Sequence, residues 1–328
     1  MMNNFWQKNK QDLLVFLTIV VGFILLVILA TATQNGYPYN STAIDTDFNI
    51  GSFQFDVQWY AIFILSGIAF ASLLGYYEFK KFHEDTDILF DGLLYAVPLA
   101  IVGARLWWVL FNLSSIHSIG DIFDTQGGGL GIHGAIIFVF IFLIFFTKWK
   151  KISYWWLLDL VAPGFLIGQT MGRWGNFMNG ELYGPAVDSL NYLPKFISEQ
   201  MYIGGSYHLP TFLFESIWNF IGLIIILILR RKRVFKLGDI LGFYLIWYGT
   251  IRIPMELLRF KGDPADPLPL PWITGNASAW YEMTSIWTSI LLIVAGLSII
   301  ILKRVFAKEL PYYNEYLESR TANETDTI

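Results

Sequence analysis

The chain has no cysteine and only four histidines. The first absence excludes disulfides, thiolate metal sites and a cysteine nucleophile of its own. The second, with no HxxxH or HExxH spacing, leaves no zinc pattern. Charge is scarce as well. Only 15% of the 328 residues are charged, against 55% hydrophobic and 18% aromatic, too apolar a balance for a pair of soluble domains. No internal repeat of the inverted kind common in transporters is visible. In place of these stand eight apolar stretches, each near the length of about 20 residues that a bilayer requires. They run from Leu13 to Ala32, Gln58 to Tyr77, Ile88 to Asn112, Gly131 to Phe146, Trp155 to Phe177, Thr211 to Leu229, Gly238 to Leu258 and Ser285 to Leu302. The predicted class is an all-α polytopic membrane protein of about eight transmembrane helices, seven in a core and one extra at the N-terminus, with a small extracytoplasmic arm or head.

The first stretch ends in Ala30-Thr31-Ala32, which resembles a signal-peptidase site. Its apolar core exceeds the about 7–15 residues of a signal sequence, so a retained span is the reading preferred over a cleaved one. Lysine and arginine set the orientation, because they accumulate on the cytoplasmic side. Sixteen of the 22 basic residues fall on one side of a single alternating topology: Lys80 and Lys81, Lys148 to Lys151, Arg230 to Lys236, and both termini. Both termini are therefore expected in the cytoplasm. The chain divides into 1–57, an extra N-terminal span with an external loop, 58–302, a core with an external arm 180–210 and an external loop 259–284, and 303–328, a cytoplasmic tail expected to be disordered after Pro311.

Among the remaining basic residues, Arg105, Arg173, Arg252 and Arg259 lie in or next to spans, where an ionisable group is expensive and marks function by default. With the directions above, Tyr60, Arg105, His133, Arg173, Asn176, Arg252 and Glu256 share one depth in the outer half of the bilayer. Arg252, Glu256 and Arg259 also share one helical face. Such a layer suits lipid headgroups. Other readings stand beside it. Arg252 and Glu256 form a self-neutralising ion pair, Arg105 snorkels as an interfacial anchor, His133 is a satisfied helix-start histidine, Tyr60 belongs to the aromatic belt, and 180–210 is either an arm over the site or a passive loop. Asp87, Asp91 and Asp159 are read as structural.

The densest constellation runs from Gly172 to Gly184: Gly-Arg-Trp-Gly-Asn-Phe-Met-Asn-Gly-Glu-Leu-Tyr-Gly. It resembles the G-R-x-G-N-F-x-N-x-E-x-x-G signature of bacterial prolipoprotein diacylglyceryl transferases, and every specified position is met. The similarity extends from about Trp59 to Ser298. It takes in Trp59-Tyr60, Gly103-Ala104-Arg105-Leu106, Gly128-Gly129 with Ile132-His133-Gly134, Asp159 with Ala162-Pro163, and Tyr248-Gly249 with Arg252, Glu256 and Arg259. Departures are His133-Gly134-Ala135 for His-Gly-Gly, and His208-Leu209-Pro210-Thr211-Phe212-Leu213-Phe214-Glu215 for H-P-[ST]-x-L-Y-E. A third is Glu282-Met283-Thr284-Ser285 for S-M-G-Q. The second adds one residue and loses a hydroxyl at Phe214.

The resemblance implies a seven-span core, to which the first span is an added anchor, and transfer of the diacylglyceryl group of phosphatidylglycerol to the lipobox cysteine of a preprolipoprotein. The site would face the outer leaflet of the bacterial cell membrane. No cofactor, metal or nucleic acid enters. Guanidinium suits a departing phosphate because it stays charged and binds through two donors, so Arg173 is expected on the headgroup and Arg252 on the leaving group. Asn176, Asn179 and Glu181 are expected on the glycerol hydroxyls, Tyr60 as a donor, Glu256 as a partner orienting an arginine, and Arg105 and Arg259 as further substrate-binding groups. A thiol of pKa about 8.5 profits from a base. His133 is the candidate, with Tyr60 and Glu256 not separated from it. A polytopic transporter and a non-catalytic lipid-binding membrane protein are the alternatives.

Overall fold

The computed structural model describes residues 9–45, 49–50, 53–54, 56–113, 116–123, 129, 131–259, 284–306 and 310–325. Expectations resting on Lys8, Gly127-Gly128, the loop 260–283 and Lys308 lie outside these residues, as does the side chain of Arg259. In chain order the elements begin with α1 (Lys10–Ala32), β1 (Thr42–Ile44), β2 (Asn49–Ile50), β3 (Phe53–Gln54), β4 (Val57–Gln58), α2 (Trp59–Lys81), α3 (Asp87–Phe111), α4 (Ile119–Phe123) and α5 (Ile132–Lys150). They continue with α6 (Tyr154–Asn179), β5 (Ala186–Val187), α7 (Lys195–Ser198), β6 (Tyr202–Ile203), β7 (Ser206–His208), α8 (Thr211–Leu229), α9 (Asp239–Arg259), α10 (Thr284–Phe306) and α11 (Tyr313–Thr325).

Each apolar stretch is one long helix, because in hydrocarbon the backbone must satisfy its own hydrogen bonds. Among the described residues six helices, α1, α2, α3, α5, α8 and α10, are long and apolar enough to cross a membrane. The other two long helices, α6 and α9, carry Asp159, Gln169, Arg173 and Asn176, and Asp239, Arg252 and Glu256, which lower their mean hydropathy. These two are at the centre of the bundle. Helix α6 packs on α2, α8 and α9, while α9 packs on α10 and α3 on α5.

Lipid gives no hydrophobic drive for helices to associate, so close approach and polar bonds must hold them. At the crossing of α3 and α5, a Cβ on Gly103 would come within 2.6 Å of the Gly134 carbonyl, and one on Gly134 within 2.1 Å of the Gly103 carbonyl. Only hydrogen fits there. Buried Asp159 of α6 accepts from the amides of Gly238 and Leu241, so one carboxylate caps α9, the structural role expected of it.

The N-terminal helix is more than an added anchor. Its Gly22 lies under the Phe70 ring of α2, its Phe16 stacks on Phe220 of α8, and its Phe23 meets Trp174 of α6 edge-on at 5.5 Å between ring centres. At one end Asp12 pairs with Lys81, with Arg230 at 3.4 Å and with Arg231 at 2.6 Å. Fully buried Glu78 takes Arg230 at 3.0 Å, Arg231, and the Tyr313 hydroxyl at 2.9 Å. Burial alone would lower the Arg231 pKa, but Glu78 and Asp12 outweigh it and raise it above the ordinary guanidinium value.

Residues 313–325 of the tail form a helix, where the sequence expectation is disorder. This α11 docks through Tyr313, which is fully buried, donates its amide to the Phe235 carbonyl and packs edge-on against Phe82. Burial, and then the Glu78 carboxylate, push the Tyr313 hydroxyl well above its usual pKa, so it remains a donor. Composition alone gave the wrong answer there because two tyrosines among polar residues, Tyr313 and Tyr316, both pack on the Phe82 ring.

Glu78 has as many partners as Asp12, three each, but no solvent, whereas Asp12 is partly exposed. Glu78→Gln is therefore expected to lower stability by about 3–5 kcal/mol, since it leaves buried cations without their counter-charge. Asp12→Asn should cost less. Thermal melting of both variants in detergent checks the order, and equal melting temperatures would contradict it.

Candidate active site

The Gly172 to Gly184 motif forms the end of α6 and the turn beyond it. Gly175 is there for contact: a Cβ on it would lie 2.7 Å from the Tyr60 ring and 3.2 Å from the Tyr60 Cα. Tyr60, in the first turn of α2, is thereby seated against the motif. Gly180 closes the helix in the left-handed conformation, with φ of 64°. That turn folds the chain back, so the Asn176 amide nitrogen donates to Glu181 Oε1 at 2.8 Å and that of Asn179 to the same oxygen at 3.3 Å. Asn176 also accepts from Arg173 Nη1 at 3.3 Å.

Arg173 and Arg252, 79 residues apart, meet through an acid for which the sequence reading had assigned no role. Glu215 of α8, with no solvent exposure, has Oε2 at 2.7 Å from Arg173 Nε and Oε1 at 3.5 Å from Arg252 Nη1. On the far side Arg252 Nη2 is 2.6 Å from Glu256 Oε2, the expected pair on one helix face, and 3.0 Å from the Ser285 hydroxyl of α10. Both arginines are 14% exposed. Two guanidinium and two carboxylate groups thus balance in an apolar bundle. Ser285 occupies the position where the family pattern has glutamine, and there it accepts from Arg252.

Arg105 and His133 belong to the α3–α5 end. Arg105 is 8% exposed; its Nε donates to the Ile122 carbonyl at 2.8 Å, Nη1 to Gly129 at 2.9 Å and Nη2 to Asp121, with the guanidinium over the Trp108 ring at 4.6 Å. It holds the segment that leads into α5. Asp121 is itself tied by the amides of His117 and Ser118 and the Ser118 hydroxyl, which hold its carboxyl below the usual range. His133, in the first turn of α5, is exposed and lies 5.8 Å from the Trp107 ring. The contacts described for this pair lie on α3, α4, α5 and the segment between them.

The segment 180–210 is a folded arm. It carries α7 and a three-stranded sheet in the order β5-β7-β6, with Leu190, Ile197 and Met201 buried. Buried Gln200 fastens it. Its Nε2 donates to the Phe177 carbonyl at 3.0 Å and its Oε1 accepts from the Tyr39 amide at 2.6 Å. The His208 ring nitrogen Nδ1 lies 3.0 Å from the Gly184 carbonyl, and the amide of Gly184 donates to the carbonyl of Leu209, the inserted residue.

Such an arrangement defines a polytopic helical membrane protein with two enclosed arginines paired to carboxylates. Comparison with known proteins agrees. The family profile described as prolipoprotein diacylglyceryl transferase matches residues 47–302, leaving α1 and α11 outside. A protein of Streptococcus pneumoniae (strain JJA) named phosphatidylglycerol–prolipoprotein diacylglyceryl transferase is 41% identical over 259 residues, covering 78% of this chain and 93% of that relative. Its counterpart in strain Hungary19A-6 matches to the same extent. The chain belongs to the prolipoprotein diacylglyceryl transferase family, and is a transferase.

Neutralising Glu215 would leave two buried guanidinium groups facing each other. Glu215→Gln is expected to cut transferase turnover about 100-fold, on the order of the cost of an uncompensated buried charge. Ser285→Ala, which removes one neutral acceptor, should cost less than about tenfold. Steady-state rates of the two purified variants decide it, and a Glu215→Gln protein as active as Ser285→Ala would remove the bridging role.

Proposed function

We propose that this transferase moves the diacylglyceryl group of phosphatidylglycerol to the thiol of a lipobox cysteine in a preprolipoprotein, with release of glycerol phosphate. The site opens toward the outer leaflet of the bacterial cell membrane, and both termini are cytoplasmic. The relatives' names supply the lipid and the protein substrate. The observation that carries the reading is the convergence of Arg173 and Arg252 on one buried carboxylate, which spaces two guanidinium groups for a phosphate between them.

In this reading the thiol gives its proton to a base and the sulfur attacks the glyceryl carbon that bears the phosphate. A carbon–sulfur bond forms, the carbon–oxygen bond breaks, and its electron pair leaves on the phosphate oxygen. Cations already in place, shielded from water, stabilise that developing charge most. Arg173 binds the headgroup, Arg252 turns from Glu256 to the leaving oxygen, and Glu215 keeps the two in register. Asn176, Asn179 and Glu181 are joined by hydrogen bonds and present amide and carboxylate groups to the glycerol hydroxyls, with Tyr60 beside them as a donor. His133 is the candidate base, and Arg105 serves it by holding the segment before α5. Arg259, at the end of α9, is retained as a further headgroup contact.

The test mixes purified protein, phosphatidylglycerol with a labelled acyl chain and a peptide with a lipobox cysteine, and looks for thioether-linked diacylglycerol. Arg173→Lys is expected to lose about 10- to 100-fold, because an ammonium cannot reproduce the fork that reaches Glu215 and Asn176 together. Wild-type turnover by that variant would take Arg173 out of the mechanism. Lipid binding without any product would favour a non-catalytic lipid-binding protein.

A further inference from the structure

Below the arginine layer, α8 continues its buried face with Ser216 and Asn219, 4% and 0% exposed. The Ser216 hydroxyl and both polar atoms of the Asn219 side chain are buried with no hydrogen-bond partner among the described residues. Leaving an amide and a hydroxyl unpaired in an apolar interior costs several kcal/mol by the usual transfer scales, about 2–7 for each. A core built for stability alone would carry apolar residues at these positions, since removing both partners of a lost bond is close to neutral.

Their level in the bundle is set by the bond between Arg173 and Glu215. Asn219 lies four residues beyond Glu215, about 6 Å further from the arm at 1.5 Å per residue. Gln169 lies four residues from Arg173 in the same direction on α6, and its Oε1 is likewise unpaired while its Nε2 donates to the Tyr244 hydroxyl. A lipid whose phosphate sits between the two arginines carries its two acyl ester groups next along the glycerol, on the side of the acyl chains. Ester carbonyls only accept. The unpaired donors on this side of Glu215 are the Ser216 hydroxyl, one residue beyond it, and the Asn219 amide, four beyond it.

We propose that Ser216 and Asn219 form a subsite for the acyl ester carbonyls of the lipid substrate, so that the protein reads the diacyl linkage as well as the headgroup. This rests on the function proposed above. The unpaired donors are retained because the bound lipid completes them: discrimination of this kind is strong when a site's own polar groups go unpaired with the wrong ligand.

The experiment compares phosphatidylglycerol with its diether analogue, which has the same headgroup and chains but no carbonyls, in the thioether-forming assay. Wild type is expected to favour the diester about tenfold in kcat/KM, the worth of one or two such bonds. In Asn219→Leu and in Ser216→Ala the diester rate should fall toward the diether rate, the diether rate should hold, and melting temperature should stay level or rise. Equal wild-type turnover of both lipids would overturn the subsite, as would variants that slow both lipids alike, the result expected if the two groups hold only internal water. A wild type that transfers neither lipid sinks the transferase reading itself, and this one with it.

Discussion

The carboxylate of Glu215, enclosed between Arg173 and Arg252, is the interaction on which the rest depends. Two guanidinium groups inside an apolar bundle repel each other and are costly to desolvate, and one acid between them turns that liability into a fixed spacing. Three helices are thereby locked: α6 supplies Arg173, α8 supplies Glu215, and α9 supplies Arg252. With Glu256 the group is neutral, so it can stand in the bundle without a further counter-ion.

Everything that positions this group is polar capping or close contact, as expected where lipid removes the hydrophobic drive between helices. Asp159 caps α9 and so sets the level at which Arg252 stands relative to α6. Gly175 lets Tyr60 lie on the motif helix, and Gly180 turns the chain so that Glu181 can gather two asparagines. At the far end of the bundle, Asp12 and Glu78 draw α1, α2, the end of α8 and the terminal α11 into one ionic knot. The helices before and after the family-matched region thus brace the core. The extension also reaches the arm, through Tyr39 and Gln200.

Much of the bundle was legible in advance. Apolar length predicted each long helix to within a few residues, and for α8 the stretch from Thr211 to Leu229 is the helix itself. The Arg252–Glu256 pair followed from helical spacing, and the motif at Gly172 announced itself by charge inside an apolar run. Less visible was Glu215, although a single glutamate within Thr-Phe-Leu-Phe-Glu-Ser-Ile-Trp is a functional signal by the same rule that drew attention to Arg173. Arg105 was read as facing a ligand or the interface. Its donors go to main-chain carbonyls 16 to 24 residues away, which no local pattern encodes. The terminal helix was missed because its polar composition hides two docking tyrosines.

From residue types alone came the class, the spans and the motif, because a bilayer imposes a length and an apolarity that can be counted along a chain. Which arginines share a counter-ion, and which unpaired amide lies beneath them, was decided only by packing. Those contacts join positions tens of residues apart, and their partners are chosen by the register of neighbouring helices, a quantity that no single stretch of sequence carries.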